Sequence, residues 1–113
     1  MDARLPAGLE VSSLVRRADI EGGSAMVIAR GDFDRGALLL LVMHRGRHVA
    51  SLERQLGPGG AYSWAIVGPS VGASESEVGE WAEKRRRFDP DEWQIELDVP
   101  SPERFIAETI AIG

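Results

Sequence analysis

The densest chemistry-capable stretch of the chain is Glu83–Trp93, EKRRRFDPDEW, and its basic half is Lys84-Arg85-Arg86-Arg87. Adjacent cations beside a tryptophan can grip a phosphate backbone or an acidic partner. They also fit a structural role. The residues before them include Glu75, Glu77, Glu80 and Glu83, so acids precede bases along one segment, the order a helix dipole favours. Glu80–Lys84 and Glu83–Arg87 are i,i+4 pairs in the better orientation. Each such effect supplies only a few tenths of a kcal/mol, which does not by itself call for three consecutive arginines. A second basic pair, Arg16-Arg17, stands near the start of the chain.

The acidic half, Phe88-Asp89-Pro90-Asp91-Glu92-Trp93, has two readings. Asp89 is a suitable N-cap for a single turn with Pro90 at its first position, with Phe88 and Trp93 plugging a core on either side. Alternatively, Asp89 and Asp91 are carboxylates set for acid–base or metal chemistry, which needs separated protonation states or further ligands.

Other constellations are incomplete. His44 and His48 flank a tight turn and supply half of a zinc site. Asp32-Phe33-Asp34 opens like a calcium loop, but Gly36 stands where a ligand belongs and no glutamate follows at the required distance. Turn closure by aspartate explains the motif. Gly57-Pro58-Gly59-Gly60 lacks the following helix and Lys-Ser/Thr of a phosphate loop. Ser12, Ser13, Ser63 and Ser70 have no nucleophile-elbow context. No catalytic residue, cofactor or metal is therefore expected.

The elements that would position these residues follow from periodicity. Val11, Leu14, Val15 and Ala18 predict a helix over Gly8–Glu21, stopped by Gly22-Gly23. Ala25–Arg30, Ala37–His44, His48–Arg54 and Ala61–Val67 are strand-like runs between glycine-bearing turns, which predicts a four-stranded antiparallel meander. Ala37–Met43 is apolar at every position, so both its faces should be covered, as in a central strand or one closed by a partner subunit. Ser74 with Glu77 forms a capping box for a helix through Arg87, with Val78, Trp81, Ala82 and Arg85 inward. Trp93, Ile95, Leu97 and Val99 alternate with Gln94, Glu96 and Asp98, which predicts a half-buried strand with one wet face. Ser101-Pro102 opens a short last helix carrying Phe105, Ile106 and Ile110. The expected fold is α+β, a four- to five-stranded mostly antiparallel sheet with packed helices in the order α-β-β-β-β-α-β-α.

The chain has 113 residues, the size of one domain, and no cysteine. That removes disulfides, thiolate metal sites and cysteine nucleophiles, and agrees with a reducing compartment. The N-terminal segment lacks a leader pattern and no apolar run approaches the ~20 residues of a membrane span, so the cytoplasm is the expected location. The net charge of −5 opposes polyanions at long range.

With the segments LEVSSLVRRADIEGG, AMVIARGD and GALLLLV, the chain resembles domain-of-unknown-function family 1491, short bacterial proteins, from about Leu5 to Asp98. Arg87, Phe88, Asp89, Pro90, Asp91 and Trp93 match its R-F-D-P-D-x-W signature, Arg16-Arg17 and Gly31-Asp32 its weaker motifs. Glu92 stands where the resemblance implies an apolar residue. The family supplies no activity.

Three functions are carried forward. The first is a non-enzymatic protein-interaction module, an adaptor or a homodimer, using Arg85–Arg87 and the Asp89–Asp91–Trp93 corner. The second is an RNA- or nucleotide-binding module using Arg16, Arg17 and Arg85–Arg87, which the acidic net charge opposes. A small enzyme ranks third.

Overall fold

The computed structural model describes residues 5–112. Residues 1–4, on which the expectation about a leader partly rests, and residue 113 lie outside it. Three helices and five strands follow the expected order: α1 (Ala7–Ile20), β1 (Ser24–Ala29), β2 (Leu38–His44), β3 (Arg47–Leu56), β4 (Tyr62–Val67), α2 (Glu75–Phe88), β5 (Trp93–Asp98) and α3 (Pro102–Ile112). The fold is α+β.

The sheet order is β1-β5-β2-β3-β4, which replaces the expected meander. β5 inserts between β1 and β2, antiparallel to the first and parallel to the second. Only β2, β3 and β4 form consecutive antiparallel pairs. The reason lies in β2: LLLLVM buries every side chain, and a strand apolar on both faces sits best with a neighbour on each side and a layer above and below.

Alternation along β2 separates two cores. Leu38, Leu40 and Val42 join Trp93, Ile95 and Leu97 beneath α1 and α3, with Val11, Ala18 and Phe105 from those helices. Leu39 and Leu41 face the other way and pack on Val78 and Ala82 of α2. α1 and α3 thus cover one face of the sheet and α2 the other. The capping box starts α2 as expected: Ser74 Oγ accepts from the Glu77 N–H at 3.1 Å, and the Ser74 N–H donates to Glu77 Oε1 at 3.2 Å. Gly68, at φ +78°, lies against the Trp81 indole where a Cβ would collide with the ring, so glycine fits there without strain or displacement of the indole.

The wet face expected for β5 is also corrected. Gln94 is fully buried and Glu96 half-buried, because β5 is an interior strand and α2 leans over its polar side.

Candidate functional site

The arginines are not a ridge. Arg17 is turned inward: Nη1 donates to Thr109 Oγ1 at 2.9 Å, Nη2 donates to the Phe105 carbonyl at 2.9 Å, and the guanidinium stacks 3.9 Å from the Phe105 ring centre. It locks α1 to α3. Arg85 is spent on the protein's own acids, bridging Glu53 of β3 and Glu92, with Nη2 3.1 Å from Glu92 Oε2. Arg87 pairs with Glu83 at 2.9 Å on the surface. Lys84 is exposed and Arg86 half-buried, without ion pairs among the described residues. Arg16 is exposed on the flank of α1. The two basic clusters ride on helices on opposite faces of the sheet, so a single phosphate backbone cannot run along both.

The Phe88–Trp93 corner is structural, with one correction. Phe88 is 85% exposed and plugs nothing, because α2 ends with that position facing away from the sheet. Trp93 is buried, and its indole N–H donates to the Asp32 carbonyl at 2.8 Å. The Asp91 carbonyl accepts from the Asp32 N–H at 3.0 Å, so the corner clamps the Asp32–Gly36 loop. Asp89 Oδ1 accepts from the Asp91 N–H at 3.1 Å, and the Glu92 N–H donates to the Asp89 carbonyl at 3.1 Å. Asp89 thus caps a single hydrogen-bonded turn with Pro90 at its first position, as the sequence pattern predicts. Glu92, an acid where the resemblance implies an apolar residue, is buried all the same, at 2% exposure. Its carboxylate is held by Arg85 and by Gln94 Nε2 at 3.2 Å.

The histidines go to different partners. His44 Nδ1 lies 3.0 Å from the Val99 carbonyl, and His48 Nε2 lies 2.8 Å from Ser51 Oγ. Asp32 Oδ1 accepts the Asp34 and Arg35 N–H groups at 3.0 and 2.7 Å, closing its loop through its own backbone. Among the described residues, no three His, Asp or Glu side chains cluster as metal ligands.

Two surfaces emerge that the residue patterns did not single out. One is a cleft of about 660 Å³ between α2 and the sheet. Its floor is Gln94 and Glu96 of β5 with Leu41 and Met43 of β2; Glu75, Val78 and Arg86 of α2 form a wall, and Arg47 and His48 close one end. Burial lowers the His48 pKa, partly offset by the Ser70 backbone. Burial raises that of Glu96, with the charges of Asp98 and Glu75 adding to the effect. Gln94 Nε2 donates to the Ala82 carbonyl at 2.8 Å, while its buried Oε1 has no hydrogen-bond partner among the described residues.

The second is the α1–β1 edge. Among the described residues β1 pairs with β5 alone, and its other side is a free strand edge. Met26, Val27 and Ile28 are all exposed. A groove of about 790 Å³ runs between this strand and α1, lined by Val11, Val15, Val27 and Phe33, with Arg16 and Asp19 on its helical side. The sequence carried a signal for it: SAMVIA holds no charge and no proline, as few natural edge strands do.

No helix among the described residues is long and apolar enough to cross a membrane. A comparison with curated proteins finds no match. Among solved structures, the chain is similar to a DUF1491 family protein from Caulobacter crescentus CB15 determined by NMR, with 28% identity, TM-score 0.75, and 88% of this chain and 90% of that one covered. A crystal structure of a DUF1491 family protein from the same organism gives 29%, 0.72, and 82% and 86%. The solution structure of protein Atu0922 from A. tumefaciens gives 25%, 0.71, and 86% and 87%. A family model described as "Protein of unknown function (DUF1491)" matches residues 5–107, and with this fold and coverage the chain belongs to that family.

Proposed function

We propose that the protein is an interaction module that associates with a second copy of itself through the α1–β1 edge, rather than through the arginine-rich end of α2. The observation that carries this is β1: a strand hydrogen-bonded on one side only, uncharged, with Met26 59% exposed. Natural sheets protect such edges with lysine, proline or a covering loop, and an unprotected one is a template for another strand. The regular register runs Ser24–Val27 and is broken by a bulge before Ala29, which limits the pairing segment to four residues.

A second copy suits this edge better than a dissimilar chain. An antiparallel pair of SAMVIA strands brings no like charges together. Beside it, α1 exposes Leu9 and Ile20 on either side of the small Ser12 and Ser13, and carries Arg16 and Asp19 of opposite sign. A two-fold interface needs such self-complementarity.

Sedimentation velocity on the full chain tests this, with hydrogen exchange on the β1 amides. A concentration-dependent dimer is expected, with β1 protected in the dimer and Val27→Lys shifting the chain to monomer. Ile66→Lys on the opposite edge strand, β4, should leave the dimer intact. A chain monomeric at the highest NMR concentrations, with freely exchanging β1 amides, overturns the reading, as does a dimer that survives Val27→Lys.

A further inference from the structure

The cleft between α2 and β5 has features that self-association does not use. Its floor carries two acceptors at i and i+2 of one strand, Gln94 Oε1 and the Glu96 carboxylate, which alternation places on the same face. Gln94 is 0% exposed, and its amide nitrogen is already committed to the Ala82 carbonyl and to Glu92 Oε1. The oxygen left over is a buried acceptor without a donor among the described residues, and such an atom is costly unless something supplies an N–H or O–H. Glu96 makes no ion pair among the described residues.

Charge around the floor sets the ligand. The carboxylates of Glu75, Glu83 and Glu96 line the cleft, and Asp98 adds its field to that of Glu96. Two arginines also line it, at opposite ends. Arg47 adjoins His48, next to the start of α2, where the Gly72 N–H reaches the His48 carbonyl; Arg86 lies near the end of the helix, one turn beyond Ala82 above Gln94. Between them the floor offers acceptors only, flanked by apolar Ile28, Leu41, Met43, Val78 and Ala82. The volume, about 660 Å³, is that of an ordinary small-molecule site.

We infer that this cleft binds a small organic cation, an ammonium or guanidinium on an apolar stem, with Gln94 Oε1 and the Glu96 carboxylate accepting its N–H groups. The stem lies along Leu41, Met43 and Val78. The cation meets the negative field that Glu75 and Asp98 impose on Glu96, so binding favours the ionised carboxylate and releases a proton wherever Glu96 is partly protonated. Affinity therefore rises with pH through the Glu96 titration. His48 lies at the end of the cleft, and burial lowers its pKa, which disfavours a competing charge there. A free amine and a lysine or arginine side chain of another protein share this chemistry.

The test is a titration of the isotope-labelled full chain, followed by NMR, with butylammonium, butylguanidinium and butyrate. Saturable shifts at the Gln94 side-chain amide and the Glu96 backbone are expected with either cation, and none with butyrate. Glu96→Gln should weaken cation binding about tenfold or more, since one charge-assisted hydrogen bond becomes neutral. That variant relieves a half-buried charge and should fold at least as well as the parent, so lost binding is not lost structure. Absence of saturable shifts with both cations, equal binding by Glu96→Gln, or binding of butyrate overturns the inference. Spermidine and N-acetyl-lysine methylamide separate the sources: tighter binding of the first assigns a free amine, of the second a protein side chain.

Discussion

Arg85 and Glu92 hold each other at 3.1 Å across the gap between α2 and β5, with the carboxylate 2% exposed. Glu53 of β3 binds the same guanidinium. One arginine thus ties α2 to β3 and to the turn that leads into β5, while its neighbours Lys84 and Arg86 make no ion pair among the described residues.

Arg85→Ala is accordingly predicted to cost about 3–5 kcal/mol, because it strands a buried carboxylate. Arg86→Ala should cost far less, within about 0.5 kcal/mol, because half-buried Arg86 makes no ion pair among the described residues. Urea unfolding of both variants checks this. Equal costs would mean that the Arg85 bridge contributes nothing beyond an ordinary surface charge.

Trp93 and Phe88 should separate just as widely. Trp93→Ala removes a buried ring and its bond to the Asp32 carbonyl, at a cost of about 3–5 kcal/mol. Trp93→Phe keeps most of the ring and loses mainly the hydrogen bond, about 1 kcal/mol. Phe88→Ala should be near neutral. Thermal melts suffice, and a costly Phe88→Ala would mean that this ring is covered in solution by something docked on the end of α2.

Gly68 and Gly72 share a left-handed backbone, at φ +78° and +84°, but only Gly68 has the Trp81 ring against its α-carbon. Alanine at Gly72 should cost about 1 kcal/mol from backbone strain alone. Alanine at Gly68 adds a collision with the indole and should cost clearly more. If the two variants melt together, Trp81 moves aside freely.

Stability should respond to pH through two groups of opposite sign. His48 is depressed below its ordinary 6.5, so the unfolded chain takes up the proton first; its stabilisation is present above 6.5 and is lost as pH falls toward the folded pKa. Glu96 is raised above 4.5, so its contribution is present below 4.5 and is lost as pH rises through the folded pKa. Glu96→Gln should therefore be more stable than the parent at neutral pH, and His48→Gln should lose the decline that begins below 6.5. Urea midpoints taken across the range from mildly acidic to neutral decide both. A Glu96→Gln chain less stable at neutral pH would mean that its carboxylate is better solvated than the cleft implies.

Local signals were enough for the elements themselves. The Val11–Ala18 periodicity, the Ser74–Glu77 capping box and the unbroken apolar run of Ala37–Met43 each depend on neighbours a few residues away, and all three lie in the expected elements, the run forming β2 from Leu38 onward. The α+β class and the order of elements follow from them. Strand order did not. Whether β1 or β5 lies beside β2 turns on pairings more than fifty residues apart in sequence, and short uncharged strands carry no register mark that reaches so far.

The candidate sites divide along the same line. Six residues, Lys84–Arg87 with Arg16 and Arg17, looked alike as a row of cations, because spacing along the chain does not reveal which acid each one meets. Packing alone sent Arg17 to Phe105 and Arg85 to Glu92, and left Arg16 beside an open groove. Gln94 and Glu96 alternate with apolar residues as any surface-facing pair would. Only the insertion of β5 into the middle of the sheet, under α2, turned that polar face into the floor of a cleft, because burial belongs to what lies opposite a side chain rather than to its own sequence.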